Sequence, residues 1–317
     1  MSLPVAAADI RAAWARISGH TRRTPVIQIR GDDVGLATDA HLNLKLELLQ
    51  HTGSFKPRGA FNNILSVLDG IGEAGVAAAS GGNHGIAVAY AARRLGLHAT
   101  IFVPATVSPL KLAAIKELTD HVIVTGGDYD EAQRVCADHA HDSGAHEVHP
   151  FGVPATVAGQ GTIALEWDEQ TPGLDTVLVA VGGGGLISGL ASWWHGDHVN
   201  VVGVEPRGSR ALHAALEAGG PVDVAVDSVA ADSLGPRNVG DLVHRICSQA
   251  VSHVVLVDDG DIVHTQAALW RALRLPAEAG GATALAALLS GAYRPRPGER
   301  VGVLVCGGNT DPRLLTP

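Results

Sequence analysis

One pattern governs this chain. A short run of β-branched or small apolar residues reaches a glycine-rich or proline-marked turn, and a helix-length stretch follows. VAAAS (76–80) leads through GGNHG into IAVAYAARRLG, HATIFVP (98–104) precedes PLKLAAIKEL, and HVIVTG precedes DYDEAQRVCADHAHDSG. The second half repeats the theme. DTVLVAVGGGG enters LISGLASWWHG, VNVVGVEP enters ALHAALEAGG, VSHVVLVDDG enters DIVHTQAALWRAL, and RVGVLVCGGN (300–309) is the last strand. Continuous apolar strands alternating with helices predict an α/β fold: open, mostly parallel sheets with helices on both faces. The rhythm breaks at 146–156, around Pro150, Gly152 and Pro154, where a seam is expected. Residues 219–240 are expected to form an ordered but irregular loop.

Several function classes fall away on composition. The net charge is −9, so the basic stripe of a nucleic-acid-binding surface is missing. No stretch reaches about 18 uninterrupted apolar residues, so no membrane span is expected. The N-terminus has no basic segment followed by an apolar run, so no signal peptide is expected. Cys136, Cys247 and Cys306 have no paired spacing, which fits a reducing cytoplasm and offers no zinc framework. His139, His141, His146 and His149 match no zinc spacing, and no metal is expected there.

Four stretches carry chemistry. In VGGGGLISGL (181–190) a strand delivers four glycines to a helix start, a cradle of backbone N–H groups for an anion, most often phosphate. The dinucleotide fingerprint fails, because Ser188 or Ile187 stands where its last glycine should be. Glu205, at the end of the next strand, nevertheless keeps a nucleotide-binding oxidoreductase in play. SGGNHG (80–85) is either a capped helix start, with Ser80 or Asn83 as cap, or a carboxylate-binding turn. In HTGSFKPRGA (51–60) a helix is predicted to begin just after Arg58. Lys56 there is either a solvated lysine at the unfavourable end of a helix dipole, or a desolvated amine able to form a Schiff base. In VCGGN (305–309), Cys306 is either a small buried hydrophobe or a weak hydrogen-bond partner for a heterocycle.

Taken together, the chain resembles the fold-type II enzymes that use pyridoxal 5′-phosphate (PLP), a tryptophan synthase β-like fold. Within them it is similar to the serine/threonine dehydratase (threonine ammonia-lyase) and serine racemase group. The resemblance is carried by KLELLQHTGSFKPRGA (45–60), SGGNHG (80–85), AGQGTIALE (158–166), VGGGGL (181–186), VGVEP (202–206), CGGN (306–309) and RTPV (23–26), in the family's order. It implies a two-domain fold: a large PLP-binding domain of residues 1–65 plus 149–317, and a small domain of residues 66–148. It implies that Lys56 holds PLP and that Phe55 packs on the ring. Asn83 would meet the ring hydroxyl, and Gly182, Gly183, Gly184, Gly185 and Leu186 would hold the phosphate. Cys306 would lie beside the ring nitrogen. Ser80, Gly81, Asn83 and His84 would line the substrate carboxylate, with Glu278 near the ring. It further implies a cytoplasmic homodimer acting on a small amino acid, with no nucleic-acid or membrane partner.

The implied reaction is α,β-elimination of L-threonine or L-serine to a 2-oxo acid and ammonia. The alternatives are serine racemisation, a lyase acting on another β-substituted amino acid such as hydroxyaspartate or diaminopropionate, and a non-catalytic PLP carrier. The family's racemases carry a serine acid/base where this chain has Gly81, which favours elimination, and a serine placed there is expected to raise racemase activity. Glu205 matches one ligand of the family's cation site, but Arg207 to Ala211 add no carboxylate, so no metal is expected. The loop DSLGPRNVG (232–240) departs from the family form and leaves substrate choice open.

Overall fold

The computed structural model describes residues 3–36, 40–127 and 129–315. The first half of the chain runs α1 (Ala7–Ile17), β1 (Val26–Arg30), β2 (His41–Leu46), α2 (Lys56–Leu65), β3 (Val76–Ala79), α3 (Asn83–Leu95), β4 (Ala99–Val103), α4 (Pro109–Lys116), β5 (Val122–Val124), α5 (Tyr129–Ser143) and β6 (His146–Glu147). It continues through α6 (Pro154–Gln170), β7 (Thr176–Ala180), α7 (Gly185–Trp194), β8 (Asn200–Pro206), α8 (Ala211–Ala218), α9 (Ala231–Leu234), α10 (Gly240–Ala250), β9 (His253–Val257), α11 (Asp259–Leu273), α12 (Ala279–Leu289) and β10 (Val301–Val305).

The strands form two sheets, ordered β1-β2-β10-β7-β8-β9 and β5-β4-β3-β6. Among the described residues, every pairing between these strands is parallel except β1 with β2, which sets Val26 opposite Lys45. The predicted α/β class and open, mostly parallel sheets are what the chain forms. Strand β7 is fully buried, as a parallel strand covered on both faces must be. Helix α12 covers β7, β8, β9 and β10, while α7 packs on β7 and β8. Each sheet has its own apolar cluster, centred on Leu44, Val179, Val204 and Val303 in one and on Ala78, Val88 and Ile101 in the other.

Two expectations needed adjustment. Helix α2 begins at Lys56, two residues before Arg58, with Phe55 as its N-cap and Pro57 in its first turn. A proline there loses nothing, since the first helical N–H groups have no intrahelical partner. Pro154, expected to mark a break, likewise opens a 17-residue helix. The stretch 219–240 is irregular as expected, apart from the single turn of α9.

A buried ion network fixes the start of α2. Lys45, Glu47, Arg58 and Glu166 are all 0% exposed. Arg58 donates Nε to Glu47 Oε2 (2.9 Å) and Nη2 to Glu47 Oε1 (2.7 Å) and to Glu166 Oε2 (3.0 Å). Lys45 Nζ donates to Glu166 Oε1 at 2.5 Å, and the Thr24 N–H adds a bond of 2.9 Å to the same oxygen. Burial alone would raise the Glu47 carboxyl, but Arg58 and Lys45 outweigh it and hold it below the ordinary carboxylate range.

Candidate active site

Open parallel sheets bind ligands beyond the carboxyl ends of their strands. The loops after β3, β7 and β10 meet there around a cavity of about 600 Å³. All the residues to which the family resemblance gives a cofactor or substrate role line it: Phe55, Lys56, Ser80, Gly81, Asn83, His84, Gly182, Gly183, Gly184, Gly185, Leu186, Glu278 and Cys306. They come from separate stretches of the chain and from both sheets' loops, so only the fold brings them together.

Lys56 is the first residue of α2. Its Nζ lies 3.5 Å from the Pro150 carbonyl and 5.1 Å from the centroid of the Phe55 ring. Desolvation by the surrounding walls lowers its amine to about 8, although Cys306 and Glu278 pull the other way. The preceding loop is held to the end of β10: the Phe55 N–H donates to the Cys306 carbonyl at 3.0 Å. Thr52, in that loop, adopts a left-handed φ of 62°. Its carbonyl accepts from Asn309 Nδ2 at 2.8 Å.

The glycine loop has no room for side chains. A Cβ on Gly183 or Gly185 would run into Phe151, and one on Gly182 into Leu234. Gly184 adopts a φ of +80°, which an L side chain resists. The bare backbone therefore faces the cavity at the first turn of α7, where unpaired N–H groups and the helix dipole favour an anion. Phe151 sits behind this loop, supported by His149, whose Nδ1 accepts from the Gly152 N–H at 2.8 Å.

At the other loops, Gly82 rather than Ser80 or Asn83 is the N-cap residue of α3, and the Gly82 N–H donates to Ser80 Oγ at 3.1 Å. His84 is buried, and its Nε2 pairs with the Val148 carbonyl at 2.7 Å. Burial and nearby Lys56 push its imidazole down to about 3, so Nε2 carries the proton and the ring stays neutral. Cys306 is buried and points its thiol at the Gly280 carbonyl (3.5 Å), and burial pushes that thiol up to about 12. Asn83 donates Nδ2 to Glu278 Oε1 at 2.5 Å.

Sequence reasoning passed over several neighbours. Val107 and Pro104 press on Gly81, Lys111 and Asp232 form an ion pair at the cavity's edge, and Tyr129 and Phe151 form part of its wall. None stands in a motif. Lys111 looks like any helix-surface lysine, and Asp232 sits in the stretch of weakest pattern. The isolated histidines do not converge, and no group of three or more His, Cys, Asp or Glu able to hold a metal exists among the described residues. Glu205 does not line the cavity: it is buried, and its two oxygens accept from the Leu212 and His213 N–H groups (2.9 and 2.8 Å).

An aldehyde–phosphate cofactor needs a desolvated amine and an anion cradle on one cavity, and both are present. The pyridoxal-phosphate dependent enzyme family matches residues 17–307. The chain is 38% identical to a phenylserine dehydratase of Ralstonia pickettii, over 94% of this chain and 91% of that protein. It is 36% identical to an L-threonine ammonia-lyase of Geobacter sulfurreducens, over 97% of this chain and 76% of that one. The structure of maize serine racemase superposes with a TM-score of 0.90 at 32% identity, covering 97% of this chain and 94% of that one. No helix among the described residues is long and apolar enough to cross a membrane. The chain therefore belongs to the pyridoxal-phosphate dependent enzyme family, and pyridoxal 5′-phosphate is its cofactor.

Proposed function

We propose that the chain is a lyase that eliminates water from L-threonine, L-serine or a related β-hydroxy amino acid, releasing a 2-oxo acid and ammonia. The observation that carries elimination over racemisation is Gly81. It offers no proton, and Val107 and Pro104 fill the room a side chain would take.

Lys56 would hold the cofactor through Nζ, with Phe55 against the ring. Gly182 to Gly185 and Leu186 would hold its phosphate, and Asn83 would meet its ring oxygen. When bound, the cofactor supplies an aldehyde for the substrate amine and a conjugated ring that takes up the electron pair left at Cα. Lys56, once released, takes the Cα proton at Nζ. An amine with a pKa near 8 is part neutral at physiological pH, which suits a general base. Cys306 would offer the ring nitrogen a neutral thiol in place of a carboxylate, a setting that would favour departure of the β-hydroxyl. Ser80, Gly81, Asn83 and His84 would border the substrate carboxylate, with His84 neutral and Glu278 beside Asn83. The enamine released takes up water to give the 2-oxo acid and ammonia.

An aryl group on Cβ is a second substrate reading. The Ralstonia relative and the apolar wall of Val107, Tyr129, Phe151 and Leu234 support it. An anionic side chain finds less: among the described lining residues, Lys56 is the one cation, and it is taken by the cofactor.

A panel of L-serine, L-threonine, phenylserine, hydroxyaspartate and diaminopropionate tests the reading. 2-oxo acid release is expected from the β-hydroxy members with neutral side chains. Serine racemised faster than it is eliminated would sink it. Against the sequence-based expectation, Gly81→Ser by itself is expected to leave D-serine yield unchanged, because its Cβ would lie 2.8 Å from Val107 Cγ2. Combined with Val107→Ala it should produce D-serine, as measured by chiral chromatography. An equal yield from the single variant would show that Val107 does not close the site.

We further propose that residues 66–148 form a small domain, since β3 to β6 all lie within them, and that residues 1–65 plus 149–317 form a large PLP-binding domain. A homodimer is proposed on family habit. A cytoplasmic location is proposed on the three free cysteines.

A further inference from the structure

A line of hydrogen bonds crosses the cavity's edge, alternating between the loops of the two sheets. Asn309 Nδ2 donates to the Thr52 carbonyl and to Asn83 Oδ1, each at 2.8 Å. Asn83 Nδ2 donates to Glu278 Oε1. Glu278 Oε2 accepts from Lys111 Nζ at 3.2 Å, and Lys111 also donates to Asp232 Oδ2 at 2.5 Å. Lys111 is 2% exposed, although it belongs to a helix whose next residue but one before it, Pro109, is open to solvent.

The direction of this line is fixed at both ends. A backbone carbonyl can only accept, so Asn309 must turn its amide nitrogen towards Thr52 and Asn83. An ammonium can only donate, so Glu278 must accept from Lys111. Asn83, between them, is left one arrangement: its carbonyl faces Asn309 and its nitrogen faces Glu278. Its second N–H remains for the cavity it lines.

We propose that Lys111 is a positioning residue that acts through Glu278 to keep Asn83 presenting an N–H, not a carbonyl, to the ring oxygen of the cofactor. This rests on the reading above in which Asn83 meets that oxygen. Burial raises the Glu278 carboxyl, and Lys111 is the strongest influence holding it down. Without Lys111, no cation offsets the burial of the Glu278 carboxyl. As a neutral acid it keeps Oε1 as an acceptor, but a weaker one, so the bond from Asn83 Nδ2 loosens while Asn309 still holds Asn83 Oδ1. The Asn83 N–H is then less firmly aimed at the ring oxygen. Asp232 has the different task of tying Lys111 to α9; its side chain is 56% exposed, so its charge is partly solvated.

The test uses purified protein loaded with cofactor. Lys111→Met is expected to shift the visible absorption of the bound cofactor and to weaken its retention by roughly tenfold, the effect of one lost hydrogen bond to a charged group. Lys111→Arg, still a pure donor, should restore both. Asn309→Asp reverses the polarity at the other end and should produce the same shift with Lys111 intact. Asn309→Asp also serves should Lys111→Met fail to fold, and Asp232→Asn should leave the absorption where it is. An unshifted spectrum in Lys111→Met with only a lower melting temperature overturns the proposal, as does an equal shift in Asp232→Asn. Should the unaltered protein bind no cofactor, the functional reading fails first, before any variant is compared.

Discussion

Lys56→Ala is expected to abolish the visible absorption of covalently held cofactor and to lower 2-oxo acid release by at least about a thousandfold, because one side chain both anchors the cofactor and moves the Cα proton. The helix should survive: Pro57 still opens α2, and Arg58 remains in its ion network. Unchanged circular dichroism beside a lost absorption band would separate chemistry from folding. A retained band would take Lys56 out of its role. The sign of the pH profile follows from the same amine. Ammonium cannot accept a proton, so kcat should fall as the pH drops below about 8 and level off above it.

The largest effect on stability is expected from Glu166→Ala. That carboxylate is shared by two buried cations, Lys45 and Arg58, and it also accepts from Thr24. Removing it leaves positive charge uncompensated in the interior, which costs about 3–5 kcal/mol. Denaturant unfolding should show the loss, while Asp138→Ala, which breaks an exposed pair with Arg134, should change little. Glu166 is also reached from α2 through Arg58, two residues beyond Lys56. The variant should therefore hold cofactor poorly even below its unfolding transition. Stability within about 1 kcal/mol of the unaltered protein would mean that Glu47 alone neutralises the cluster.

The legible parts of the fold were those with a strong local signal. Strands β3, β4, β7, β8 and β10 are apolar runs closed by glycine or proline, and they lie where the sequence puts them. Helix α12 has no polar face to give a 3.6-residue period, because Gly280 to Leu288 are all buried. Helix α6 escaped for a similar reason: it is buried from Thr156 to Trp167, and its opening proline reads as a break. The hairpin of β1 and β2 is antiparallel, and β1 is half exposed, so it lacks the continuous apolar signature of its neighbours.

Sequence alone determined the residues with special backbone needs or an unusual local setting. Lys56 at a helix start, four glycines where side chains would collide, and Cys306 at a strand end are all properties of a few consecutive residues. The tertiary structure alone decided what those residues face. Val107 closes the space beside Gly81, Phe151 backs the glycine loop, and Lys111 reaches Glu278 across 167 positions of chain. Local pattern encodes backbone conformation through short-range sterics. A hydrogen-bond direction or a filled gap depends on atoms that only the folded chain brings within reach.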